Sequence, residues 1–112
     1  MTGEPIPEEA VRLLNALLGD DYPALSAQIP HLRVAGHCAC PCPSIDFALD
    51  RTAVPAAPAV DSPFAEATVL DETGEPVGGA MLFASDGYLS LLEVYSWSDD
   101  PVTRLPSPDR LA

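Results

Sequence analysis

The sequence predicts an α+β domain: two N-terminal helices packed on one face of a mostly antiparallel sheet of about five strands. Three observations lead there. Apolar residues recur at helical spacing in the first thirty positions and alternate in twos afterwards. Helical and strand patterns occupy separate stretches of chain, and that segregation marks the α+β class. Asp86-Gly87 sits between two apolar runs, a strong signal for a two-residue hairpin.

Pro7 suits the first position of a helix, and Glu8 and Glu9 complement its dipole. Val11, Leu14 and Leu18 form an apolar stripe that Ala10, Leu13 and Leu17 widen, and Gly19 reads as the C-terminal cap. A second, shorter helix is expected over Ala24 to Ile29, ended by Pro30. Period-two alternation starts near His31 with Leu32 and Val34, and returns at Ile45, Phe47 and Leu49. Residues 51–63, rich in Ala and Pro, read as an exposed, partly extended loop.

A three-stranded meander follows over 64–98, with strands at Ala65 to Leu70, Val77 to Ala84 and Leu89 to Trp97. Asp71 to Glu75 is a turn, and Gly78-Gly79 suggests a bulge or a close backbone approach. On the last strand Ser90, Leu92, Val94 and Ser96 share one face, and Leu91, Glu93, Tyr95 and Trp97 the other. Residues 99–112 hold three prolines and read as an extended tail. The organisation is one domain over 1–112: a helical part at 1–30, a cysteine-containing hairpin at 31–50, the loop, the meander and the tail.

Composition narrows the functional classes. With 17 acidic and five basic residues the chain carries a net charge of −12. That charge disfavours phosphate backbones and anionic membrane surfaces, so neither nucleic acid nor membrane is expected as a partner. A basic protein partner is electrostatically favoured, although acidity also serves plain solubility. All five basic residues are Arg, so Schiff-base chemistry and a P-loop lysine are absent. The acidic N-terminus does not resemble a signal peptide, and three cysteines fit a reducing cytoplasm.

The oddest segment is His37-Cys38-Ala39-Cys40-Pro41-Cys42-Pro43. His37, Cys38, Cys40 and Cys42 supply four soft donors, the number a tetrahedral zinc ion needs, and the thiolates also suit Cu(I). Their spacing argues against a structural zinc site, which normally joins ligand pairs a dozen or more residues apart. On an extended chain alternate cysteines lie about 7 Å apart, and two prolines restrict local folding. Small buried apolar thiols at a hairpin end are the plainer reading. A bridge between neighbouring cysteines of the run would be strained and labile, in the manner of a redox switch.

No catalytic residue is identified. His31 and His37 are the only histidines, and GxSxG, HExxH and GxGxxG are all missing. Asp20-Asp21 and Asp99-Asp100 read as solvated turn carboxylates. Tyr88, Tyr95 and Trp97 cluster on or beside the last strand as candidate partner-binding residues, since Trp and Tyr are enriched at binding hot spots. The competing expectation is that the tail covers them, with Leu105 packed on the ring of Trp97.

The segment Asp86-Gly87-Tyr88-Leu89-Ser90-Leu91-Leu92-Glu93-Val94-Tyr95, followed by Asp99-Asp100-Pro101 and Leu105-Pro106, resembles a family of short uncharacterised bacterial proteins. The N-terminal helix followed by Asp21-Tyr22-Pro23 is also similar. The resemblance implies an α+β domain and no assigned activity. The expected function is a non-enzymatic protein-interaction module of the cytoplasm, of a regulatory or immunity type. The alternative is a thiol-based metal-binding or redox-responsive protein using Cys38, Cys40 and Cys42.

Overall fold

The computed structural model describes residues 4–37, 43–58, 61, 63–97 and 104–112, the side chain of His37 excepted. Helix α1 spans Glu8–Leu18 and helix α2 spans Pro23–Ser26. Pro7 is the cap of α1 and not its first residue; its carbonyl accepts the Ala10 and Val11 amides. Burial centres on Ala10, Leu14 and Leu18, joined by Leu13, while Val11 and Leu17 lie at the margin. Gly19 closes the helix at φ 54°, its amide bonded to the Asn15 carbonyl.

The second helix is shorter than the sequence suggests. It stops at Ser26, and a 3-10 turn over Ile29–His31 takes up the chain with Pro30 inside it. The proline is accommodated because the first turn of a helix needs no donor at that position.

Six antiparallel strands form one sheet: β1 (Glu4–Pro5), β2 (Arg33–His37), β3 (Ile45–Ala48), β4 (Phe64–Leu70), β5 (Pro76–Ser85) and β6 (Tyr88–Ser96). Their order is β1-β2-β3-β6-β5-β4. The short β1 was not expected and accounts for the sixth strand. One face carries Ile45, Phe47, Leu82, Leu92 and Val94, which join Leu13, Leu14, Leu18, Leu25 and Ile29 in a single core. Tyr22 packs edge-to-face on Phe64, with ring centroids 5.1 Å apart, and ties the segment before α2 to β4.

The β5–β6 hairpin turns at Asp86-Gly87 with φ of 56° and 84°. Two consecutive positive φ values define a type I′ turn, whose twist matches that of the strands. The Ala/Pro loop wraps this tip instead of standing off in solvent: Val54 and Ala57 are buried, and the Ala57 amide donates to the Gly87 carbonyl at 2.8 Å. A side chain at Gly87 would collide with the Ala57 carbonyl.

On β6 the simple alternation fails at one place. Phe83 pairs with Leu91 but Ala84 pairs with Leu89, so Ser90 is bulged out of the ladder. The bulge returns Leu89 to the core face, where it is buried beside Leu92 and Val94.

Strand β3 contacts β6 through only two registered pairs, Ile45–Leu92 and Asp46–Leu91. Side chains complete the ladder beyond each end. The buried Gln28 amide donates to the Gly87 carbonyl at 2.8 Å, and its oxygen accepts the Leu89 amide at 2.9 Å. At the other end the Ser44 hydroxyl accepts from the Val94 amide at 2.9 Å and donates to the Val94 carbonyl at 3.2 Å. Among the described residues no buried side-chain nitrogen or oxygen lacks a partner.

Gln28→Ala leaves the buried Leu89 N–H without an acceptor, which costs about 1–3 kcal/mol, and leaves a void where a fully buried side chain stood. A fall in thermal midpoint on the order of 10 °C is expected by scanning calorimetry, given roughly 4–8 °C per kcal/mol at this chain length. Ser44→Ala is expected to lower the midpoint through the same mechanism at Val94, by a smaller amount because it opens a smaller void.

Candidate functional site

The sheet face opposite the helices is built from the alternate positions of the same strands. Register places Asp46 of β3 opposite Leu91, Leu91 opposite Phe83, Glu93 opposite Met81, and Tyr95 opposite Gly79. Thr68 of β4 continues the last of these rows. Met81, Phe83, Leu91, Glu93 and Tyr95 are all half-buried and Asp46 is exposed. This face is apolar along its middle and acidic on the β3 side.

Gly79 gives this face its shape, and Gly78 beside it keeps the backbones close. A side chain at Gly78 would overlap the Tyr95 carbonyl, and one at Gly79 would overlap the Tyr95 ring. The ring therefore lies down across the sheet over Gly79 instead of standing off it. The irregularity expected near these glycines falls beside them: Val69 pairs with Gly78 and Leu70 with Pro76, so Val77 is the extra residue.

Trp97 follows directly after β6. Its amide donates to the Val77 carbonyl at 2.9 Å, which extends the β5–β6 ladder by one bond. Its indole is 56% exposed, the largest apolar side chain left open among the described residues. Leu105, half-buried, packs against the main core. What the tail covers is the edge of β4, where Thr68 and Ala112 exchange two backbone hydrogen bonds and Val69 bridges Leu111.

Tyr88 is separated from Tyr95 and Trp97. It holds the loop, its hydroxyl donating to the Arg51 and Val54 carbonyls at 3.3 Å, with the Arg51 guanidinium 4.6 Å above its ring. Arg51 also meets Asp86 of the hairpin tip at 3.4 Å. The three aromatics thus divide into one loop anchor and a pair at the end of β6.

Cys38, Cys40 and Cys42 lie outside the described residues, as do Asp99 and Asp100. His37 ends β2 in register with Ile45, and its side chain is likewise outside the description. His31 sits in the 3-10 turn, half-buried. Asp20 and Asp21 occupy the exposed turn after α1. Among the described residues no group of three or more His, Cys, Asp or Glu side chains is placed to hold a metal ion. Nor is any described helix long and apolar enough to cross a membrane.

Three aspartates in turns have pKa values below the ordinary carboxylate value, each for a local reason. The Thr73 hydroxyl, followed by the Glu75 and Thr73 amides, stabilises the Asp71 carboxylate in the β4–β5 turn. Thr52 does the same for Asp50 through its hydroxyl and amide, and the Ser107 hydroxyl for Asp109. These are self-bonded turns, a common use of aspartate.

The sign follows from the depression: the ionised carboxylate is favoured in the folded state, so its contribution is present above the unfolded pKa of about 3.9 and is lost as pH falls through the lower folded value. Asp71→Ala is therefore expected to melt below the wild type near pH 7, with a gap that narrows below about pH 4 in paired melting curves. A gap independent of pH would remove the ionic part of this account. Comparison of the chain with protein-family models, with curated proteins and with solved structures finds no match.

Proposed function

We propose that this protein is a non-enzymatic interaction module that binds a basic protein partner, and that Trp97 and Tyr95 at the end of β6 lie at the centre of the contact. The observation that carries this reading is the open Trp97 indole beside a half-buried tyrosine. Holding so large an apolar ring in water gives the fold no stability, while desolvating it against a partner is favourable. The net charge of −12 favours a basic partner and would speed its association. The resemblance to short bacterial proteins and the cytoplasmic location belong to the same proposal. Tyr88 is left out of the contact because its hydroxyl and ring are occupied by the loop.

A second reading attaches to the cysteine run. Four soft donors within six residues, between the end of β2 and the start of β3, favour zinc or Cu(I) capture or a thiol switch. Elemental analysis of protein purified without chelator, combined with thiol counting, decides it. Bound metal or fewer than three titratable thiols supports this reading, and three ordinary free thiols without metal end it.

Trp97→Ala removes an exposed side chain, so the thermal midpoint is expected to stay within about 4 °C of the wild type. Used as paired baits in native lysate, wild type is expected to retain a stoichiometric basic protein that Trp97→Ala loses by more than tenfold. Equal retention by both baits, or no stoichiometric partner on either, rejects the interaction reading.

A further inference from the structure

We infer that the sheet face beside Trp97 selects its partner by charge, and that it takes an amphipathic segment whose apolar residues are flanked by lysine or arginine, with Asp46 and Glu93 as the selecting groups. This rests on the interaction reading above and adds what the partner must present.

The two carboxylates are 47 positions apart in sequence and come together only through the sheet. Asp46 stands opposite Leu91, and Glu93 is the next residue of β6 on the same face. Such diagonal neighbours lie roughly 7–8 Å apart. Leu91, Phe83 and Met81 fill the space beside them, so an approaching segment meets apolar surface and two negative charges together.

Among the described residues neither carboxylate is ion-paired. Arg12 pairs with Glu8 on α1, and Arg51 with Asp86 at the hairpin tip. Register places one basic residue, Arg33, on this face, at its far end opposite Ala48. Its guanidinium donates to the Leu32 carbonyl.

A second copy of the chain is a poor occupant, because each copy brings a charge of −12 and would set Asp46 and Glu93 against like charges. An acidic or neutral segment would leave both carboxylates desolvated without compensation. A basic flank satisfies them, and an apolar strip covers Leu91, Phe83 and the Trp97 ring.

The test uses the full chain and two synthetic 18-residue peptides of equal apolar content, one of leucine and lysine, the other of leucine and glutamate. Trp97 is the only tryptophan, so its emission reports binding at this face, with titration calorimetry as the second readout. The lysine peptide is expected to bind with a blue shift of Trp97 emission, and the glutamate peptide not to bind. Asp46→Asn with Glu93→Gln is expected to weaken the lysine peptide about five- to tenfold, the scale of two exposed ion pairs. Asp20→Asn with Asp21→Asn removes the same total charge from the turn after α1 and is expected to leave the affinity within twofold.

Equal weakening by both double variants would reduce the effect to net charge and overturn the inference. So would binding that ignores Asp46 and Glu93. If Leu91→Ser with Trp97→Ala abolishes binding while Asp46→Asn with Glu93→Gln does not, the interaction face stands and its charge selection falls.

Discussion

The middle of the sheet is held together by two side chains doing the work of backbone. Strand β3 is four residues long and registers with β6 at two positions, yet it joins β1 and β2 to the three long strands. Left alone, β6 would present buried, unpaired amides on either side of that short contact. Gln28 supplies both an acceptor and a donor at the hairpin end, and Ser44 supplies both at the other end. A buried donor without a partner costs about as much as one or two ordinary hydrogen bonds contribute. The sheet can be six strands wide because these four bonds are made.

The same bonds fix the position of everything nearby. Gln28 lies between α2 and the 3-10 turn, so bonding it to Gly87 and Leu89 sets the helical layer against the hairpin. The Gly87 carbonyl also receives the Ala57 amide, which brings the Ala/Pro loop over the tip. Tyr88 then anchors that loop from its other side. The Ser90 bulge belongs to this arrangement, since it turns Leu89 toward the core while leaving its amide free for Gln28.

Beyond the bulge, β6 has its outward positions at Leu91, Glu93 and Tyr95, and these build the candidate binding face. Its rigidity comes from the core side, where Leu92 and Val94 are fully buried between them. Its flatness comes from Gly79 of β5, which lets the Tyr95 ring lie against the backbone. A face of this kind presents apolar and acidic groups from three strands at fixed spacing, and such preorganisation limits the entropy lost on binding.

Local signals in the chain settled much of this. The helical spacing of Leu14 and Leu18, the Asp86-Gly87 turn, the Gly19 cap and most of the alternation along β3 to β6 are short-range facts, readable because each depends on neighbours within a few residues, whereas Val11, expected at the centre of the helical stripe, lies at its margin. The placement of Tyr95 and Trp97 at the end of β6 was readable for the same reason, whereas Tyr88, grouped with them in the sequence, proved to be separate. The sequence did not reveal Gln28 as a bridge, Ser44 as a surrogate strand, or Tyr88 as an anchor for the loop, because each acts across 34 to 61 positions. It did not reveal β1, whose two residues become a strand only when β2 lies beside them. Nor did it join Asp46 to Glu93. Local pattern determined most of the inward positions, though not Leu89, Val54 or Ala57; the tertiary structure decided those and which outward residues meet, since register between distant strands is set by the whole core at once.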